Sequence, residues 1–320
     1  MKTVFLFPGQ GAQYPGMASD LTDSEKVKTL FRMASDIMGA DMKEMLMNSS
    51  PETLKRTDVS QPCITLANLA AAEYLAEKNI MPYGCAGFSL GEYAAMAVAK
   101  IISVEDCFYL VKERGKAMQA AIDRIQDNSG NQGLSGPANS PGMAAVIGLA
   151  PELVESFIAE WKKDGLDDLY SANLNSSKQV VVSGSAAALA EAEKRFMEAS
   201  ARRFIRLQVA GPYHSPLMNE AAEVFTPILE KTHFNDPVIP VFSNVTGKQI
   251  MTGAEAKSLA LRQIVETVRW TDVQQSLMEL QPDRFLETGP GKVLQGLWKD
   301  TGSAINCLPA GTAEDIGKII

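Results

Sequence analysis

The chain has 320 residues, 46% of them hydrophobic and 21% charged, which fits a folded enzyme and excludes whole-chain disorder. The formal net charge of −8 argues against nucleic acid and anionic membrane surfaces as main partners, while leaving room for a local basic patch. Four cysteines (Cys63, Cys85, Cys107 and Cys307) lie far apart with no CxxC spacing, which argues against structural zinc and a disulfide framework.

Met1–Pro8 has a basic residue but too short an apolar run for a secretion signal, and no run is long enough to span a membrane. A cytoplasmic protein is expected. Val4–Phe7 is apolar and β-rich, ended by the turn Pro8-Gly9-Gln10-Gly11. Helices are expected over 25–47 and 62–77, a short strand over 83–88, and an alanine-rich helix over 91–100. Ser103 and Asp106 form a capping box for a helix to about Gln126. Its apolar stripe of Cys107, Leu110, Val111, Met118 and Ala121 also carries Arg114, which either snorkels outward or serves a buried anion.

Residues 127–142 are rich in Gly, Ser, Asn and Pro and read as a mobile loop marking a boundary. Beyond it come a strand (143–149), a helix opened by Pro151 (151–161), two strands (169–173, 179–183), a helix (185–199) and a strand (203–209). That order is the split βαβ of a ferredoxin-like unit. Strand–helix alternation then resumes, with strands at 240–243 and 284–287 and a helix at 272–280 between them. The expected architecture is α/β. Residues 1–126 and 210–320 form a large subdomain with a mainly parallel sheet, and 127–209 form the inserted ferredoxin-like (βαββαβ) subdomain.

Gly87-Phe88-Ser89-Leu90-Gly91 follows a strand and opens a helix, the setting of a nucleophile elbow. A serine hydroxyl needs a base, and the chain has only two histidines. His233 sits near an expected helix end, where a structural role suits it. His214, in an irregular loop just after the inserted unit, falls where the two units should meet and is the candidate base. No acidic residue is singled out by spacing as a third member. A backbone N–H in the turn after the first strand, with the N–H of Leu90, can form an oxyanion hole. The Gly-rich turns at 9–11 and 289–291 lack the pattern of a phosphate loop.

Five segments occur together in order: Phe7-Pro8-Gly9-Gln10-Gly11-Ala12-Gln13, Gly87-Phe88-Ser89-Leu90-Gly91-Glu92-Tyr93, Arg114-Gly115, Tyr213-His214-Ser215 and Gly289-Pro290-Gly291-Lys292-Val293-Leu294. Through them, over about residues 3–298, the chain resembles malonyl-CoA:acyl carrier protein transacylases. These include the freestanding fatty-acid enzymes and the acyltransferases of polyketide synthases. The resemblance implies an α/β-hydrolase-like large subdomain, Ser89 as acylated nucleophile, His214 as base, and Gln10 and Leu90 as oxyanion donors. It implies that Arg114 grips the malonyl carboxylate, and that the main-chain carbonyl of Gln263 orients the imidazole. Gln61 and Asn175 match polar residues lining the family's cleft, and Tyr213 is a bulky neighbour of the base. It further implies no bound cofactor, malonyl-CoA as substrate and a phosphopantetheinylated acyl carrier protein as partner.

Phe88 departs from the family, which usually has histidine there; a wider or drier acyl pocket is the expected consequence. Arg202, Arg203 and Lys292 are candidates for a basic patch that meets the acidic carrier. The competing readings are an acyl hydrolase or thioesterase, which would use the same elbow and base with water as acceptor, a patatin-like lipase, which would leave His214 idle, and a non-catalytic scaffold that binds carrier proteins.

Overall fold

Thr3–Phe7 forms strand β1, and all five of its residues are buried, as a continuous apolar run at the centre of a parallel sheet requires. The computed structural model describes residues 1–130 and 140–320. The other strands are β2 (Gly84–Gly87), β3 (Gly142–Ile147), β4 (Leu169–Ser176), β5 (Gln179–Gly184), β6 (Arg203–Arg206), β7 (Val241–Phe242), β8 (Arg284–Glu287) and β9 (Cys307–Pro309). The helices are α1 (Glu25–Met38), α2 (Met42–Asn48), α3 (Thr57–Glu77), α4 (Gly91–Val98), α5 (Val104–Gly130) and α6 (Pro151–Lys163). They continue with α7 (Ala186–Glu198), α8 (Asn219–Lys231), α9 (Gly253–Arg262), α10 (Trp270–Met278), α11 (Val293–Lys299) and α12 (Ala313–Gly317).

Two sheets result. One is parallel throughout, in the order β7-β2-β1-β8-β9. Phe5 and Phe7 of β1 face one apolar cluster, shared with α3, α4 and α5, while Val4 and Leu6 face another, shared with Trp270, Trp298 and Phe285. The sheet is therefore covered on both sides. The other sheet is antiparallel, in the order β4-β5-β3-β6, built from a β-α-β-β-α-β run. In β3, Ala144 and Val146 face α6 and α7, whereas Met143 and Ala145 join the core of the parallel-sheet unit. The two sheets thus share buried surface, and a backbone bridge between Asn173 and Val268 ties the edge of the second to the first unit.

Several expected boundaries change, among them the strand expected over 203–209, which ends at Arg206. The single helix expected over 25–47 is two helices: Gly39 takes a left-handed conformation (φ 70°) that ends α1, and the Asp41 carboxylate accepts the Lys43 and Glu44 N–H groups to start α2. The helix expected from Pro62 begins at Thr57, with Pro62 inside it, because Gln119 Oε1 accepts the Thr57 N–H and anchors an earlier start. The helix expected to end near Gln126 runs to Gly130, so the start of the expected 127–142 loop is helical. The remainder of that loop, 131–139, lies outside the described residues. Of the expected capping box one arm is formed, the Asp106 N–H donating to Ser103 Oγ at 2.9 Å, while the Asp106 carboxylate accepts from the Ser103 hydroxyl at 2.8 Å instead of from its backbone N–H.

Gly91 joins α4 to the central strands. A Cβ there would overlap the Phe7 carbonyl of β1, so the helix can approach the sheet only with glycine at that position. Gly91→Ala is expected to lose about 3 kcal/mol of stability or more, read as a lowered thermal midpoint; an unchanged midpoint would contradict this packing.

Candidate active site

The β1–β2 register pairs Phe7 with Gly87, so the turn after β1 and the turn after β2 emerge side by side at one edge of the sheet. Ser89 stands on the second turn with φ 50°, a left-handed conformation that costs a non-glycine residue on the order of 1–3 kcal/mol. α4 follows at once, its Gly91, Glu92 and Tyr93 N–H groups donating to the Phe88, Ser89 and Leu90 carbonyls. Among the described residues, the N–H groups of Gln10 and Leu90 have no protein acceptor. Both remain available to a ligand oxygen.

His214 arrives from the segment after β6 and is also left-handed, at φ 54°. Its Nε2 lies 2.8 Å from Ser89 Oγ. Its Nδ1 lies 2.8 Å from the main-chain oxygen of Gln263. That carbonyl is free because Gln263 caps the C-terminal end of α9, where the last carbonyls have no helical partner. The bond settles the tautomer: Nδ1 carries the proton and donates it to Gln263, leaving Nε2 as acceptor for the serine hydroxyl. A cleft of about 350 Å³ reaches His214 between the two units, lined on one side by Ile158 and Leu169 and on the other by Val265 and Arg269.

Burial, followed by the nearby Arg114 charge, pushes the imidazole down to about 4. It is therefore neutral, and able to accept a proton, at neutral pH.

Arg114 is 1% exposed, which decides between the two readings of its place on the apolar stripe in favour of burial. One terminal nitrogen donates to Gln263 Oε1 at 3.1 Å, and the guanidinium lies 5.5 Å over the Tyr93 ring. Among the described residues its Nε has no hydrogen-bond partner and it makes no ion pair. A buried cation in that condition is a strong site for an anion. Burial holds its pKa below the ordinary arginine range, opposed by Tyr93, Tyr213 and Glu92. Gln263 joins the two halves of the site: its side chain also donates to the Ser89 carbonyl at 3.0 Å.

The remaining sequence-derived candidates fall at varying positions. Tyr213 is buried; its hydroxyl accepts from Gln10 Nε2 at 3.3 Å and bonds Thr57 Oγ1. Gln61 is buried on α3, with Nε2 on the Met118 sulfur at 3.3 Å and Oε1 without a partner among the described residues. Asn175, near the end of β4, donates to Gln179 Oε1 at 3.2 Å, and its own Oδ1 has no partner among the described residues. No hydrogen bond links Asn175 to the Ser89–His214 pair. Phe88 is half-buried, edge-on to Trp270 with ring centroids 5.3 Å apart. His233 is exposed, with Nε2 3.0 Å from Asn235 Oδ1.

Sequence reasoning passed over Asn244 and singled out no role for Glu92. Asn244 Oδ1 accepts the Ser89 N–H at 2.6 Å, and Glu92 is fully buried, with burial raising its carboxyl to about 7. Asn244 carried a signal: a polar residue just past the C-terminal end of a parallel strand lies where α/β sheets place their ligands. Among the described residues, no group of three or more His, Cys, Asp or Glu is arranged to hold a metal ion.

A hydroxyl on a strained strand–helix turn, bonded to a neutral, oriented imidazole and linked through the Gln263 side chain to a buried guanidinium, belongs to the class of sites built for nucleophilic acyl chemistry. Comparison with known proteins narrows that class. Residues 4–319 match the family model described as "Acyl transferase domain". A malonyl CoA-acyl carrier protein transacylase of Bacillus subtilis is 32% identical over 316 residues, 98% of this chain and 95% of the relative. One of Haemophilus influenzae is 36% identical over 302 residues, 93% and 91% respectively. A solved malonyl-transacylase in complex with its type II PKS acyl-carrier protein superposes with a TM-score of 0.88 at 31% identity, covering 99% of this chain and 98% of that one. The chain belongs to the acyl transferase domain family, among the malonyl CoA-acyl carrier protein transacylases.

Because the folded imidazole is protonated only near pH 4, the rate of Ser89 modification by an acyl donor is expected to stay level down to about pH 5. It should then fall as acid protonates Nε2. A pre-steady-state pH profile with its midpoint near 6.5 would contradict this environment for His214.

Proposed function

We propose that the protein moves a malonyl group from coenzyme A to the phosphopantetheine thiol of an acyl carrier protein through an ester on Ser89. The observation that carries this is the continuous chain from Ser89 Oγ through His214 to the Gln263 carbonyl, with the Gln263 side chain reaching Arg114. It couples a nucleophile to a buried cation that makes no ion pair among the described residues and suits a carboxylate.

In the first half-reaction His214 Nε2 takes the hydroxyl proton as Ser89 Oγ attacks the thioester carbonyl carbon. The Gln10 and Leu90 N–H groups donate to the resulting oxyanion. Collapse breaks the carbon–sulfur bond, and the departing coenzyme A thiolate takes the proton from the imidazolium. In the second, the carrier thiol gives its proton to His214 and attacks the ester. Ser89 Oγ leaves and recovers that proton. Both relatives and the solved complex carry transacylase names, which favours a thiol over water as acceptor.

Gln61, Asn175, Phe88 and Tyr213 are assigned to the walls of the acyl and pantetheine path, with Phe88 contributing an apolar surface in place of the family's usual histidine. Exposed Arg202, Arg203 and Lys292 are assigned to carrier docking. The parallel-sheet unit, residues 1–126 and 210–320, is read as α/β-hydrolase-like. Residues 127–209 are read as ferredoxin-like, supported by the β4-β5-β3-β6 order of the β-α-β-β-α-β run. No resident cofactor enters the reaction. A cytoplasmic location fits four free, buried cysteines. Among the described residues no helix is long and apolar enough to cross a membrane.

Arg114→Ala is expected to reduce malonyl transfer relative to acetyl transfer by about 10²-fold, the scale of one charge-assisted contact pair. The measurement is kcat/KM for both coenzyme A thioesters with the same carrier protein. Retention of the wild-type malonyl preference would remove Arg114 from the carboxylate site.

A further inference from the structure

The nucleophile's turn is held by a residue distant in sequence. β7 pairs in parallel with β2, Ala86 opposite Phe242, so the chain leaving β7 runs beside the chain entering the Ser89 turn. Asn244 sits there, fully buried. Its Oδ1 accepts the Ser89 N–H at 2.6 Å, and its Nδ2 donates to the Gly87 carbonyl at 2.7 Å. One amide thus grips the backbone on both sides of Phe88. The amide is itself immobilised: the Asn244 N–H donates to Glu92 Oε2 at 2.7 Å, and its carbonyl accepts the Arg269 N–H at 2.8 Å. Glu92 is fully buried on the first turn of α4, so a closed ring runs through Gly87, Ser89, Glu92 and Asn244.

We propose that Asn244, fixed by Glu92, is the positioning residue that holds Ser89 in its reactive conformation. This rests on the acyl-serine reading above. A serine at φ 50° is disfavoured by sterics and persists only where its surroundings over-determine it. The two amide bonds supply that constraint. The bond to Oδ1 also occupies the Ser89 N–H, which leaves oxyanion binding to Gln10 and Leu90. Neither Asn244 nor Glu92 makes a hydrogen bond to Ser89 Oγ or His214, so their effect acts through geometry.

The test compares wild type, Asn244→Ala and Asn244→Asp by rapid-quench acylation with malonyl-CoA and with acetyl-CoA, alongside thermal melts. A misplaced nucleophile costs about 10²-fold in rate. Asn244→Ala is expected to lose about that factor in the acylation step for both thioesters, with KM and the malonyl-over-acetyl ratio unchanged. Asn244→Asp keeps an acceptor for the Ser89 N–H and is expected to recover part of the loss. A purely structural role would lower the melting point while leaving the rate per folded molecule intact, and that result would overturn the proposal. So would a loss confined to malonyl-CoA, which would place Asn244 with the Arg114 clamp. If the alanine variant does not fold, Asn244→Leu keeps the bulk without the two bonds, and wild-type acylation by it overturns the proposal equally. Wild type run in parallel must carry the acyl group on Ser89: its failure to do so would overturn the functional reading, whereas an acylated wild type with an unimpaired variant overturns only the positioning role.

Discussion

The hydrogen bond from Ser89 Oγ to His214 Nε2 is the contact on which the rest of the site depends. It joins residues 125 positions apart, one on the first unit's sheet and one on the segment returning from the second. Neither partner is in a relaxed conformation, since both have positive φ. The surrounding fold therefore has to hold both, and much of the local architecture does so: Gly91 lets α4 press against β1, Asn244 grips the elbow, and the end of α9 offers Gln263.

A main-chain carbonyl in the orienting position has an electrostatic consequence. An aspartate there would stabilise the imidazolium strongly and raise its pKa. A neutral carbonyl does so weakly, and burial beside Arg114 works in the opposite direction. The imidazole stays unprotonated at neutral pH, and in the proposed reaction the burial that lowers its pKa would also strengthen the Arg114 guanidinium's pull on a carboxylate. Gln263 serves both purposes, its backbone on the histidine and its side chain on the arginine and the serine carbonyl.

The elbow and the parallel sheet were legible in the sequence because each depends on local chemistry: a β-rich run, two glycines around a serine, an alanine-rich helix after them. His214 was legible through scarcity, since a nucleophile needs a base and only two histidines exist. The break between α1 and α2 was missed because the apolar pattern continues across it while Gly39 and Asp41 act by backbone conformation and capping. β9 was passed over because a three-residue edge strand containing Pro309 gives almost no pattern. Periodicity alone left Arg114 undecided, since a stripe position specifies a face and not whether that face is covered. Asn244 and the carbonyl of Gln263 act through contacts between distant segments, which spacing does not encode; the family resemblance supplied Gln263, and only the folded geometry brought out Asn244.

The most direct test is to incubate the protein with malonyl-CoA and no acceptor, map the adduct by peptide mass spectrometry, and then add phosphopantetheinylated carrier protein. The account requires one malonyl ester on Ser89, absent in Ser89→Ala, that disappears as malonyl-carrier forms. An ester on another residue, or one released to water while the carrier stays unloaded, would contradict it.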